Sequence, residues 1–372
     1  MKKLLTPLAL AISLASVQAI ADNNIADSTQ FGDLNDVTID QVNVQDATAS
    51  VTQSGDSNGA SVVQANSTNA MTATIDTTGT ANRASIFQED SWFASATITQ
   101  EGEDNGADIV QELISDDSSA DIDQISAAGN TASITQTFAF SSTSAIVQEN
   151  AEVNNAEIEQ VETEGSDAYI QQTNTLLDDA YIFQTGFAQS AAIYQDDAWV
   201  ASASISQEGS SHLATIDQNA ISDYAIADIS QTGTGNTAST TQSGSFGSEA
   251  YTAQAGEFND ATIMQGPLGI HLAIVNQEGQ FNSAYVDQNG TADVAQIDQY
   301  GEAGYAQAVQ AGDYNEAMID QGGMGNTALV DQTGLGQAGL SNTALIQQTG
   351  AYDYATIMQS GGAGNNAVVT QN

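Results

Sequence analysis

Gln254-Ala-Gly256-Glu-Phe-Asn259-Asp-Ala261-Thr-Ile263-Met-Gln265 is the stretch whose reading decides the fold. Asn259, Ala261, Ile263 and Gln265 fall on every second residue, with Asp260, Thr262 and Met264 between them. A period of two belongs to a strand, because successive side chains of an extended chain point to opposite faces. The segment before it carries Gly256, and its length suits a tight reversal.

The same phrase, Asn-x-Ala-x-Ile/Val-x-Gln, recurs along the chain. It stands as Asn58-Gly-Ala60-Ser-Val62-Val-Gln64 and as Asn105-Gly-Ala107-Asp-Ile109-Val-Gln111. Asn282 to Gln288 repeats it with Ala284 and Val286, Asn315 to Gln321 with Ala317 and Ile319, and Asn326 to Gln332 once more. Aligned on the last residue, 30 copies run from Gln30 to Gln371, with Gln53 and Gln100 closing two of the looser ones. Glutamine fills the final slot everywhere except Thr77, and alanine stands four residues earlier except at Val37 and Ser144. The slot two before glutamine is Ile or Val except at Ser28, Thr240, Thr252 and Ala308.

The spacing of the copies follows glycine. Where glycine lies two after the glutamine, as at Gly55, Gly102, Gly256, Gly279, Gly301 and Gly312, the next glutamine usually comes 11 residues on. This holds for 14 of 17 such steps, whereas all 12 glycine-free steps are 12 or 13 residues, so glycine permits the shorter reversal. The exceptions follow Gln242, Gln332 and Gln359, and the step after Gln332 carries an insertion around Leu335 to Leu340.

Strand, tight turn, strand, tight turn predicts an all-β, two-strands-per-rung β-solenoid of about 15 rungs, with like phrases stacked ~4.8 Å apart. Alanine of one strand then faces Ile or Val of the other across a thin core, in which each buried Ile or Val contributes roughly 1.5–3 kcal/mol. Buried amides are costly alone. Stacked in register, the asparagines and glutamines are expected to form ladders, each amide donating to one neighbour and accepting from the other. A longer echo, Ser91 to Gly102 against Ala198 to Gly209, is offset by nine strand units, an odd number that places the copy on the opposite sheet.

The N-terminus reads as a secretory signal peptide over 1–21. A basic start at Lys2-Lys3 precedes an apolar run and an Ala19-Ile20-Ala21 cleavage pattern, with a cut after Ala19 as the alternative. Residues 22–372 are the repeat domain. Removing the signal leaves Arg83 as the one basic residue against 47 acids, a formal charge of −46. Nucleic-acid binding through phosphate neutralisation and attachment to anionic lipid through a basic patch are both excluded by that balance. No later stretch is long and apolar enough for a membrane helix. Without cysteine there is no disulfide framework, and the near absence of proline suits continuous strand pairing.

The twelve-residue phrase Gln-x-Gly-x-x-Asn-x-Ala-x-x-x-Gln resembles the curlin repeat. It stands at Gln53 to Gln64, Gln100 to Gln111, Gln231 to Gln242, Gln254 to Gln265, Gln277 to Gln288 and Gln310 to Gln321, with looser copies over almost all of the mature chain. The resemblance implies a subunit of an extracellular amyloid fibre, exported unfolded through a dedicated outer-membrane pore of a Gram-negative bacterium. It implies polymerisation at the cell surface, with other curlin-type subunits as partners, for adhesion and biofilm. The chain departs from the family in having about three times the usual repeats, no glycine-rich leader and an uncharged C-terminus. These departures leave its rank as major, minor or accessory subunit open.

No catalytic, cofactor or metal site is expected. His212 and His271 occupy asparagine slots and are read as ladder substitutes. The Asp pairs at 116–117, 178–179 and 196–197 are read as solvated turn residues, and Trp92 and Trp199 as a buried rim at turn ends. Divalent cations are a possible ligand of the acidic surface, although the calcium-roll glycine pattern is absent. The competing reading is a monomeric solenoid that binds ice or glycan on a flat face. Its outward positions, however, mix Ser, Thr, Asp, Glu, Tyr and Met, not regular threonine ranks.

Overall fold

The computed structural model describes residues 23–267 and 269–372. The expected signal peptide over 1–21 lies outside the described residues. Thirty strands, from β1 (Ile25–Phe31) to β30 (Asn366–Gln371), follow one another with no helix among the described residues. Odd-numbered strands form one 15-stranded sheet and even-numbered strands the other. The chain is thus a two-sheet solenoid of 15 rungs, as the period-two phrases predict.

Pairing is parallel and in register, slot on slot. Asp260–Gln265 lies against Ser283–Gln288 with Ala261 on Ala284, Ile263 on Val286 and Gln265 on Gln288. Two irregularities interrupt this order, one between Gln100 and Gly102 and one between Gln160 and Thr163.

The inward face is dry and narrow. Ala60, Val62, Ala107, Ile109, Ala261, Ile263, Ala284, Val286, Ala317 and Ile319 are all buried. The apolar core between the sheets is nevertheless two long clusters, one ending at Ala238 and the other starting at Ala250, beside a small one of Val44, Ala47 and Met71. The break coincides with Thr240 and Thr252, which fill adjacent Ile/Val slots and bury hydroxyls that have no hydrogen-bond partner.

Glycine shortens an arc for two physical reasons. Gly55, Gly79, Gly102, Gly186, Gly209, Gly233, Gly256 and Gly279 have φ between +107° and +139°, a region almost reserved for glycine. At the same position the longer arcs place Asn43, Asn66, Asp90, Phe138 or Asn174 near φ +52°, in the ordinary left-handed region. Two exceptions to the spacing rule follow directly. Gly244 and Gly361, at φ +62° and +72°, adopt the geometry of the longer arcs, and their steps are 12 residues.

The second reason is close approach. A Cβ on Gly55 would lie 1.9 Å from the carbonyl oxygen of Gly79, and one on Gly256 would lie 2.0 Å from that of Gly279. Gly301 and Gly312 lack the positive φ, yet a Cβ there would meet the carbonyls of Gly323 and Gly334 at 2.1 and 2.3 Å. Contact with the next rung is therefore the more general requirement. Where Ala127 replaces glycine above Gly102, the chain carries an extra residue and the register shifts.

The tight arcs also change sides. Up to Gln111 each 11-residue step follows an odd strand, through Gly32, Gly55, Gly79 and Gly102; from Gln184 to Gln288 each follows an even strand, through Gly186, Gly209, Gly233, Gly256 and Gly279. The steps between Gln124 and Gln184 are all 12 residues and effect the handover. The odd offset between the two tryptophan-bearing segments follows from this: the rungs from Gln184 to Gln288 repeat those up to Gln111 with the sheets exchanged.

Candidate functional site: the amide columns and the end rungs

The final glutamine of each phrase is buried and stacks on the glutamines of the neighbouring rungs. In the even sheet Gln41, Gln64, Gln88, Gln111 and Gln136 pass Nε2 to Oε1 at 2.7–2.9 Å. The column continues through Gln321 and Gln348 to Gln371. In the odd sheet Gln100 begins the run, and Gln265, Gln288, Gln310 and Gln332 continue it to Gln359. Each amide uses its other N–H on a backbone carbonyl of the facing strand, as Gln64 does on Thr48 and Gln111 on Ser95. One side chain therefore ties rung to rung and sheet to sheet, and its buried polar atoms are satisfied.

The columns have a direction. From Gln41 in the even sheet and from Gln100 in the odd sheet, each glutamine donates to the next rung toward the C-terminal end. Thr77 breaks the odd column after Gln53, leaving Thr77 Oγ1 and Gln100 Oε1 buried without partners.

The asparagines do something else. Asn58 Oδ1 accepts the backbone N–H of Asn82 at 3.0 Å, and its Nδ2 donates to the carbonyl of Gly79 at 3.0 Å. Asn105, Asn259, Asn282 and Asn326 also donate to the next rung's arc, on Ala127, Gly279, Gly301 and Gly350. Stacking of amide on amide, the arrangement expected from the sequence, occurs near the C-terminus, where Asn342 donates to Asn315 and Asn365 to Asn342. The reason lies in the slot's position. It opens a strand at the arc, where the adjoining backbone groups lie outside the regular ladder and must be satisfied by a side chain. Asparagine staples the arc; glutamine staples the sheet.

His212 takes the asparagine role. Its Nδ1 accepts from the Asn236 backbone N–H at 3.3 Å, and its Nε2 meets the carbonyl of Glu208 at 3.1 Å, an arrangement that selects the tautomer protonated on Nε2. Burial holds its pKa below the usual value. His271 does not fit as well. Both ring nitrogens are buried without hydrogen bonds, Nδ1 stands 3.8 Å from Asp293 Oδ2, and burial pulls the imidazole down to about 4.

Two expectations from the sequence need correction. Asp178 is not a solvated turn residue: it is fully buried in an asparagine slot, six residues before Gln184. Asp116, in another of the Asp pairs, lies on an exposed arc and accepts the Trp92 N–H at 2.9 Å. Trp92 and Trp199 are not a buried rim, since they are 48% and 55% exposed. Trp92 lines an open cleft with Leu113, Ile114 and Phe138 along one arc edge. Sequence reasoning also did not anticipate Ile114, Val153, Val200 and Ile221 at φ of +57° to +71°, a conformation β-branched residues rarely adopt.

The first and last rungs of the described residues are uncovered. At one end β1 and β2 (Asp36–Val42) leave Val37 and Ile39 only partly covered, and at the other β30 leaves Ala367 and Val369 so. Among the described residues no segment lies across either edge. Gln41 presents its carbonyl oxygen at one end; Gln359 and Gln371 present N–H groups at the other.

Tyr305 to Gly334, three strands with their arcs in this repeat, match the curlin associated repeat over residues 305–334. That segment of the chain carries a curlin repeat. No curated protein matches it. The curlin repeat is structural and not enzymatic. Among the described residues, no group of three or more His, Cys, Asp or Glu is placed to hold a metal ion. The matched segment contains Gln310, Gly312, Asn315, Ala317, Ile319, Gln321, Asn326 and Gln332, so the glutamine column, the arc and the core of the curlin rung all fall within it.

Proposed function

We propose that this curlin-repeat chain is a structural subunit of an extracellular, curli-like amyloid fibre of biofilm matrix, built by docking the last rung of one copy on the first rung of the next. The observation that carries this reading is the matched polarity of the two bare ends. The donor of Gln371 meets the acceptor of Gln41, half-covered core residues meet half-covered core residues, and unpaired strand edges meet strand edges. An uncovered edge is a template for another strand, and a head-to-tail contact of unlike ends propagates without closing. Family resemblance adds a secreted subunit that leaves the cell unfolded through a curli-type export pore.

The acidic surface sets the conditions. About three acids per rung, ~4.8 Å from their counterparts in the next, repel by about 0.9 kcal/mol per pair in water, a term that salt screens. The chain from residue 22 onward, freed of denaturant, is expected to raise thioflavin T fluorescence slowly at low salt and neutral pH. Growth is expected to be faster with salt, with Ca²⁺ or in acid, and to yield reflections near 4.7 and 10 Å. A soluble β-rich monomer under all these conditions would overturn the fibre reading and leave a monomeric solenoid with a ligand to be found.

A further inference from the structure

Asp178 and Asp293 both occupy the asparagine slot of the even sheet, and both are fully buried. In each, one carboxyl oxygen does what asparagine Oδ1 does. Asp178 Oδ1 accepts the Ala201 backbone N–H at 2.8 Å, and Asp293 Oδ1 accepts from Asn315 N at 2.9 Å and Nδ2 at 3.2 Å. The other oxygen stands where asparagine carries its amide donor, and in both residues it is buried with no partner. Asn105 and Asn130, in the same column, use that donor on the carbonyls of Ala127 and Ala151 at 2.9 Å. Asp293 Oδ2 is turned instead on the space beside Gly290, where the carbonyl oxygen of Gly312 also points. Two lone-pair oxygens facing each other away from water repel unless one carries hydrogen.

We propose that Asp178 and Asp293 are proton-binding sites of the folded solenoid, each held as a carboxylic acid whose O–H replaces the missing asparagine donor.

The surroundings favour the neutral acid. Around Asp178 the charged groups are Asp179 and Asp223, both of the same sign. Around Asp293 they are Asp313 and His271, and burial keeps His271 neutral at physiological pH, so it supplies no compensating charge. Burial pushes both carboxyls up from 3.8 to about 7. A carboxyl raised in the folded state keeps its proton where the unfolded chain has lost it. The stability it lends is therefore complete below 3.8, declines as pH climbs, and is gone once pH passes about 7.

Guanidinium unfolding of the purified chain, followed by circular dichroism at pH 5 and pH 8.5, tests this in wild type, D178N/D293N and the exposed-arc control D104N/D117N, which removes equal charge. Between the two pH values the wild-type unfolding constant is expected to rise at least ~10-fold more than that of D178N/D293N, with the control following wild type. An infrared band of protonated carboxyl at pH 6, present in wild type and lost in D178N/D293N, is the second readout and serves equally for fibres. An unchanged pH slope in D178N/D293N, an equal flattening in the control, or absence of the band from wild type would overturn the proposal.

Discussion

Replacing Gly209 with alanine is expected to destabilise the solenoid by at least about 3 kcal/mol. The new Cβ would stand 2.1 Å from the carbonyl oxygen of Gly233, 3.0 Å from its carbon and 3.1 Å from its nitrogen. All three are backbone atoms of a paired rung, so no side chain can swing aside. Residue 209 also has φ +125°, where an L side chain strains its own backbone at a cost of about 1–3 kcal/mol. Gly59 is the control. It has ordinary backbone geometry and nothing within 4 Å of where a methyl group would sit, so Gly59→Ala is expected to change stability by less than about 0.5 kcal/mol. Guanidinium midpoints of the two variants check the contrast. Because a solenoid rung touches only its neighbours, hydrogen exchange in Gly209→Ala should rise around rungs 8 and 9 and stay protected at the ends.

Gln207→Leu is expected to cost about 4 kcal/mol, since it strips partners from several buried groups at once. Gln207 accepts from Gln184 at 2.9 Å, donates to Gln231 at 2.9 Å and donates to the Ser190 carbonyl at 3.1 Å. Leucine fills the volume and satisfies none of these groups. The chain already holds a natural version of this lesion at Thr77, and it can be repaired. Thr77→Gln supplies a donor to Gln100 Oε1 and is expected to raise stability by about 2 kcal/mol. Unfolding midpoints that fall for Gln207→Leu and rise for Thr77→Gln establish the column as a source of stability. Equal and small shifts would reduce it to packing.

Much of this architecture is legible from residue order because the period-two phrase carries its own burial pattern. Ala261, Ile263 and Gln265 alternate with Thr262 and Met264, and burial alternates with them. The arcs are harder to read. Glycine spacing separates short from long reversals, but the presence of glycine does not tell the φ of +115° at Gly55 from the +62° at Gly244, nor does it reveal the carbonyl against which Gly55 is pressed. Asparagine and glutamine carry the same amide, and only the structure shows that Asn58 faces an arc's open backbone while Gln64 faces another glutamine. Asp178 was obscured by its neighbour: Asp178-Asp179 has the look of a polar turn, although the slot count from Gln184 places it with the asparagines. The change of arc side was within reach, since the 11-residue steps follow odd strands up to Gln111 and even strands from Gln184 to Gln288.

Head-to-tail docking can be tested at the junction itself because the chain has no cysteine of its own. β28 (Asn342–Gln348) pairs with β30 in register, and carrying that register into the next copy sets Gln371 on Gln41 and Val368 on Thr38. Val368 and Thr38 are both exposed, and strand neighbours ~4.8 Å apart suit a disulfide. Fibres of V368C/T38C, oxidised and then dissolved in denaturant, should give a ladder of covalent multimers that collapses on reduction. The shifted pair V368C/D40C should stay monomeric. Fibres in which V368C/T38C fails to cross-link, or the shifted pair cross-links equally well, would contradict end-to-end continuation of the two sheets.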